Sequence, residues 1–124
     1  MPQNPTQVIS YPLSQPFTTL AAATVAGAWP TGEGKVDSFY TARNYISMQV
    51  SWTSNPTDVE VELWGSVDGT NFGLLQTFQG GSGGALASGS IIVSAGFPVI
   101  AAVANLKTLT GGTSSTVTAT ILGY

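Results

Sequence analysis

The stretch 59–72 constrains the fold more than any other part of the chain. It begins with strict alternation of apolar and polar residues, the period of a strand that buries one face. The dipeptide Asp68-Gly69 then interrupts the alternation and suits the positive φ of a tight turn. A second apolar run follows over 72–78. The sequence therefore predicts a β-hairpin with Val59, Val61 and Leu63 facing a core and with Glu60, Glu62 and Trp64 on the opposite face.

A second alternating strand is predicted over 45–53, with Ile46, Met48, Val50 and Trp52 on its buried face. The polar turn 54–57 leads from it into the hairpin, so we expect these two strands to be antiparallel neighbours, with Trp52 near Leu63. The remaining strands are predicted at 17–28, 36–40, 90–94, 99–106 and 115–122. About eight short strands without a helix predict an all-β fold, an antiparallel β-sandwich of jelly-roll or Ig-like topology.

The first 16 residues differ from the rest because they hold four of the seven prolines. Such a density forbids a helix and disfavours a central strand. We therefore predict an extended N-terminal arm over 1–16 and a sandwich domain over 17–124. The arm carries Ile9, Tyr11 and Leu13 as candidate partner-binding residues, and a frayed terminus is the alternative. It lacks the charged and apolar regions of a secretory signal.

Charge is the most unusual feature of the composition. Only 7% of the residues are charged, against about 25% in an ordinary soluble protein. This shortage favours a subunit packed against other proteins. Three Lys and Arg against six acidic residues argue against nucleic acid, whose binding needs many cations. No basic amphipathic helix is predicted for a membrane surface.

Few residues in this chain are suited to chemistry. The absence of His and Cys removes most metal sites, catalytic triads and thiol reactions. Glu60 and Glu62 lie about 7 Å apart by strand rise, a separation that a glycosidase also uses, but a solvated strand face is the favoured interpretation. The segment 68–71 has oxygens for calcium, although a turn explains the same residues. The glycines of 80–84 lack the Lys and helix of a phosphate loop. We predict no catalytic residue, no metal and no cofactor.

Two tryptophans are candidates for contact with a ligand or a partner. Trp64 lies opposite the predicted core, where it would be buried under a loop or the arm, pack in an intersubunit interface, or stack on a sugar ring. Trp29 precedes Pro30 in a loop, where it would anchor to a partner or pack locally. The sequence leaves these alternatives open.

The hairpin segment Val61–Phe72 (VELWGSVDGTNF), taken with the late strand 99–106 and the closing strand 116–123, resembles small β-sandwich proteins encoded among bacteriophage structural genes. The resemblance covers roughly 45–123. Similar hairpins also occur in galactose-binding-like and carbohydrate-binding sandwiches. Phage relatives often have an Arg-Tyr-x-Arg strand late in the domain, whereas this chain has the apolar stretch 98–103, which predicts a more buried strand.

The resemblance implies an accessory virion protein, either a head decoration (cement) protein or a tail component. We therefore expect a non-enzymatic structural protein of the virion, assembled in the host cytoplasm, that docks on a capsid and stabilises it as a symmetric homo-oligomer, with a trimer expected. Its partners would be capsid or tail proteins. The alternative is a carbohydrate-binding module or receptor-binding tail component that uses surface aromatics, Trp64 with neighbouring tyrosines, to bind a glycan.

Overall fold

A computed structural model describes residues 15–81, 87 and 89–124. The partner-binding candidates Ile9, Tyr11 and Leu13 lie outside the described residues, as does most of the glycine-rich stretch. Eight strands are described: β1 (Phe17–Ala23), β2 (Asp37–Arg43), β3 (Ile46–Trp52), β4 (Asp58–Ser66), β5 (Gly73–Gly80), β6 (Gly89–Ala95), β7 (Val99–Thr110) and β8 (Val117–Gly123). Within the same residues, no helix is long and apolar enough to cross a membrane.

The strands form two four-stranded sheets that pack as a sandwich. The first sheet has the order β1-β8-β3-β6, and the second sheet has the order β2-β7-β4-β5. All neighbouring strands are antiparallel. The predicted all-β antiparallel sandwich is confirmed, and this order of eight strands is that of a jelly roll.

The topology is that of one long two-stranded ribbon rolled into a sandwich. The hairpin β4–β5 forms its tip, and β3 pairs with β6, β2 with β7, and β1 with β8 on the way back to the termini. Paired positions stay almost symmetric about the Asp68-Gly69 turn: Val59 lies opposite Gly80, and Val50 lies opposite Ile91. The predicted hairpin is therefore confirmed, and it is the centre of the whole fold.

The core lies between the two sheets and follows the predicted alternation. The apolar faces of β3 and β4 are almost fully buried against residues of the other strands. The largest fully buried side chains of this core are Leu20, Ile46, Met48, Val50, Val59, Val61, Leu63, Leu106, Val117 and Ile121. Trp52 of the first sheet stacks on Phe78 of the second with ring centroids 5.4 Å apart. The Trp52 indole Nε1 donates to the Ala87 carbonyl over 2.8 Å, which satisfies its polar group.

The prediction that β3 and β4 are antiparallel neighbours is wrong, because they belong to different sheets. The connection between them does not fold back as a hairpin, because β3 pairs with β6 and β8 while β4 pairs with β5 and β7. At its start the Thr53 amide donates to Thr116 O, next to the first sheet, and at its end the Thr57 amide donates to Thr110 O of the second. The turn therefore carries the chain across the sandwich, and Trp52 and Leu63 enter one core from opposite sides.

The strand predicted over 17–28 ends at Ala23. Ala22 has a positive φ of 50°, which breaks the extended backbone, and the pairing of β1 with β8 already shifts register between Thr18 and Leu20 and again between Leu20 and Ala23. The chain then forms a loop over 24–36, which we call the covering loop. It runs beside β7, where the Gly27 amide donates to the Leu106 carbonyl over 2.9 Å.

Candidate functional site

Trp64 and Trp29, the two aromatic residues singled out from the sequence, come together on the outer face of the second sheet. They line a cleft of about 300 Å³ between the covering loop and the end of the β4–β5 hairpin. We call it the aromatic cleft; its lining residues are Trp29, Pro30, Trp64, Thr70, Asn71 and Phe72. The rings of Trp29 and Phe72 meet edge to face, with centroids 5.6 Å apart.

The hairpin wall of the cleft is fixed by hydrogen bonds within the turn 66–71. The Ser66 hydroxyl donates to Asp68 Oδ1 over 2.9 Å and accepts the Gly69 amide over 2.8 Å. The same Asp68 oxygen accepts the amides of Thr70 and Asn71, both over 2.8 Å. Gly69 has a φ of 79°, the left-handed conformation expected of this turn.

The Asp68 carboxylate is therefore occupied by the turn itself. Its second oxygen accepts the Asn71 side-chain amide over 2.9 Å. The hydrogen bonds from the Asn71 backbone and side chain, then from Thr70 and Ser66, hold the pKa of Asp68 well below its usual range. These contacts explain the oxygens that also suited calcium, and the described residues contain no group of three or more His, Cys, Asp or Glu side chains placed to hold a metal ion.

Under the cleft, a polar network fixes the ring of Trp64. Its indole Nε1 donates to Glu62 Oε1 over 3.3 Å, and the buried Asn105 Nδ2 donates to the same oxygen over 3.1 Å. Lys107 Nζ lies 3.8 Å from Glu60 Oε2 and 3.8 Å from Glu62 Oε2. The two glutamates on the Trp64 face thus share one lysine, and Glu62 is itself buried.

The other wall of the cleft is the covering loop, which is held close to β7. Asn105 Nδ2 donates to the Gly27 carbonyl over 3.0 Å, and Thr31 donates from its amide and its hydroxyl to Ala28 O, over 2.8 and 2.7 Å. Near the end of the loop, the Lys35 carbonyl accepts a hydrogen bond from the Thr19 hydroxyl of β1 over 2.6 Å. The loop lies so close that a Cβ on Gly34 would collide with the Ala104 carbonyl oxygen.

Trp64 is half-buried, and it lines the cleft together with Trp29 and Pro30 of the covering loop. Two of the tyrosines lie elsewhere: Tyr45 and Tyr124, which flank β3 and β8 of the first sheet, stack on each other with centroids 5.7 Å apart. Sequence reasoning missed Phe72, Thr70 and Asn71 as cleft residues, although all three follow the turn that it identified.

A second candidate surface is the outer face of the first sheet, which sequence reasoning missed. None of the nine charged residues lies in β1, β3, β6 or β8. The outward positions are instead mostly Ser, Thr and Gln, with two large apolar residues among them. We call this surface the uncharged face; a groove of about 150 Å³ in it is lined by Pro16, Ser47, Gln49, Ile92, Thr120 and Leu122.

Comparison with known proteins gives one informative result. No family model matches this sequence, and no curated protein matches it. Among solved structures, the chain is similar to the SPBc2 prophage-derived protein YomS, with a TM-score of 0.54 at 14% sequence identity. The match covers 96% of this chain and 100% of that chain. At this identity the likeness shows a shared fold, a two-sheet β-sandwich, with a prophage-derived protein.

Proposed function

We propose that this protein is a non-enzymatic structural component of a phage virion, assembled in the host cytoplasm, that docks on the capsid and stabilises it through protein–protein contacts. The similarity to a prophage-derived protein supports the phage setting in general terms. The observation that carries the docking role is the uncharged face.

A whole sheet without charge is unusual for a surface that stays in water. A soluble domain typically carries charged residues at roughly 25–35% of its surface positions, whereas the four strands of the first sheet carry none. The centre of a protein interface is depleted of charge in the same way. Outward Ser, Thr and Gln side chains supply hydrogen bonds without the desolvation cost of an ion. The uncharged face therefore has the chemistry of a surface that another protein covers.

The edge strand β6 adds a second means of association. It pairs with β3 over seven positions without a register shift, and it contains neither charge nor proline, the features that usually protect an edge. Gln76 Nε2 donates to Ser94 O over 3.3 Å, so the Ser94 carbonyl faces away from β3. By strand alternation, Ser90 and Ile92 direct their backbone groups to the same side, where no strand of the described residues pairs with β6. We propose that this edge and face make the homo-oligomer, expected to be a trimer.

The N-terminal arm would extend this docking surface. Pro16 lines the groove beside Ile92 and Leu122, so the arm joins the sandwich at the uncharged face. Ile9, Tyr11 and Leu13 remain the proposed partner-binding residues. Each large apolar side chain buried against a capsid or tail protein would contribute about 1.5–3 kcal/mol, repeated over every copy in the particle.

The test measures mass in solution by light scattering and binding to capsids by co-sedimentation. The capsids would be assembled without this protein from the capsid gene of the same genome. The variant Ile92→Lys places a charge on the uncharged face, and Val25→Lys is its matched control on the covering loop, since the two side chains are 63% and 61% exposed. A third variant lacks residues 1–14.

We expect the unaltered protein to form an oligomer that co-sediments with capsids. Ile92→Lys should lower both the oligomer mass and the capsid-bound fraction at least tenfold, while Val25→Lys leaves both unchanged. Removal of 1–14 should reduce capsid binding without unfolding the domain. Equal capsid binding by the two lysine variants would overturn the role of the uncharged face, and a protein that ignores capsids altogether would overturn the proposed function.

A further inference from the structure

We propose that the aromatic cleft is a binding site for one neutral sugar residue. The docking role uses the first sheet and the arm, and it gives no reason for a cleft on the outer face of the second sheet. This inference therefore goes beyond the proposed function and stands on separate residues.

The walls of the cleft have the shape and chemistry that a sugar ring needs. Trp29, Trp64 and Phe72 all line the cleft, and the Trp29 and Phe72 rings meet edge to face, so these two rings form a corner instead of a flat patch. The apolar C–H face of a sugar packs on such aromatic surface. The volume of about 300 Å³ lies at the small end of small-molecule sites, which favours one sugar residue at the end of a chain.

The rim of the cleft supplies polar groups for the sugar hydroxyls. Thr70 and Asn71 line the cleft, and their side chains carry a hydroxyl group and the amide oxygen Oδ1. The turn uses the two amide donors of Asn71, on its backbone and side chain, to hold Asp68, and no hydrogen bond within the described residues engages Oδ1. A hydroxyl group that can donate and an amide oxygen that can accept, both beside apolar walls, are typical of a site that orients a neutral polar ligand.

The electrostatics of the cleft select against charged ligands. Its six lining residues carry no ionisable side chain. The nearby carboxylates are already engaged, Asp68 by the turn and Glu62 by Asn105, Trp64 and Lys107. A phosphate or an acidic sugar would find no free cation in the lining, so its desolvation would not be offset.

Both walls are held in place before any ligand arrives. The turn is fixed by the Asp68 and Ser66 hydrogen bonds, Trp64 is fixed by Glu62, and the covering loop is tied to β7 at Gly27. Preorganised aromatic walls reduce the ordering cost of binding. A protein partner would instead use a wider surface, and the cleft holds too little volume for successive residues of a proline-rich strand.

The test uses NMR titration of the ¹⁵N-labelled protein with a panel of neutral methyl glycosides. The three tryptophan indole N–H signals give an internal comparison. We expect at least one glycoside to shift the signals of Trp29 and Trp64 at millimolar concentrations, an affinity usual for a single small site. The Trp52 signal should stay unchanged because that indole is buried in the core and bonded to Ala87 O.

Three variants make the assignment specific. Trp29→Ala removes one wall, and Phe72→Leu keeps apolar volume but removes the flat ring; both should weaken glycoside binding at least tenfold. Tyr45→Ala is the control, since this exposed ring stacks on Tyr124 and does not line the cleft. Trp29→Ala should still bind capsids, which separates this inference from the docking role.

Two results would overturn the proposal. The first is that no glycoside shifts the Trp29 and Trp64 signals, or that the shifts persist in both cleft variants. The second is that a peptide with the sequence of residues 1–14 shifts these signals while the glycosides do not, which would make the cleft a docking site for the arm of another copy.

Discussion

At the scale of single residues, Asp68 determines how the turn at the tip of the hairpin responds to pH. Four hydrogen bonds from Ser66, Thr70 and Asn71 end on its carboxylate. They stabilise the ionised form, so the pKa of Asp68 in the folded protein lies below its unfolded value. A group with a depressed folded pKa stabilises the protein above the unfolded pKa, and this contribution is lost as the pH falls further.

The variant Asp68→Asn tests this role of the carboxylate. At neutral pH the variant should melt at a lower temperature than the unaltered protein, because the charged acceptor has been replaced by a neutral one. The difference in melting temperature should begin to shrink near the unfolded pKa of Asp, about 3.9, and should continue to shrink below it. Melting curves followed by circular dichroism from pH 7 to pH 2 measure the difference. Two curves that stay parallel over this range would show that the Asp68 charge does not stabilise the fold.

At the scale of strands, alternation predicts which residues face a core but not which sheet a strand joins. The strands β3 and β4 have the same pattern and a short polar connection, so a hairpin was the simplest expectation. The pairing partners decide otherwise, because β3 pairs with β6 and β8 whereas β4 pairs with β5 and β7. Ser54 and Asn55 in the connection have positive φ, a conformation that a two-residue hairpin turn also uses, so nothing in the turn itself predicts that it crosses the sandwich.

The candidate site shows the same division between what the sequence predicts and what it leaves open. The alternation of residues along β4 places Trp64 opposite the core, and the structure confirms this placement. The partner of Trp64 across the cleft, Trp29, lies 35 positions earlier in a loop without periodicity, so no local pattern connects the two. The one available signal is a pair of glycines in the covering loop, Gly32 and Gly34, where a Cβ would collide with Asn105 and Ala104 of β7.

The close approach of the covering loop to β7 can be tested at Gly34. A Cβ at this position would collide with the backbone carbonyl of Ala104 and lie 3.0 Å from Val103 Cγ2. A backbone oxygen in a central strand cannot rotate away, so the loop would have to move. We expect Gly34→Ala to lower the free energy of unfolding by about 1–3 kcal/mol, the usual cost of overpacking, as measured by urea denaturation.

The matched control for this variant is Gly73→Ala at the start of β5. A Cβ on Gly73 would meet no atom within 4 Å, so the free energy of unfolding should change by less than about 0.5 kcal/mol. Because Gly34 belongs to the covering loop, Gly34→Ala should also shift the indole signal of Trp29 more than that of Trp52. Equal stability of the two alanine variants would mean that the loop does not lie against β7.

At the scale of the whole molecule, the rolled ribbon separates the charged residues from the uncharged ones. Successive strand pairs of the ribbon alternate between the two sheets, so the pairs β3–β6 and β1–β8 form the first sheet. These four strands contain no charged residue. Six of the nine charged residues lie in the second sheet, namely Asp37, Arg43, Asp58, Glu60, Glu62 and Lys107. The remaining three lie in the covering loop and the turn. One side of the sandwich thus resembles an ordinary soluble surface, whereas the other resembles an interface.

This separation predicts how salt affects the proposed association. Between 0.1 and 1 M salt the screening length falls from about 10 Å to about 3 Å, which weakens contacts between exposed charges. Contacts through the uncharged face have no such charges to screen, so the association constant of the oligomer should change by less than about threefold over this range. Sedimentation equilibrium at several salt concentrations measures it. Weakening by tenfold or more would place the interface on the charged second sheet, because only that side carries ions whose attraction salt could remove.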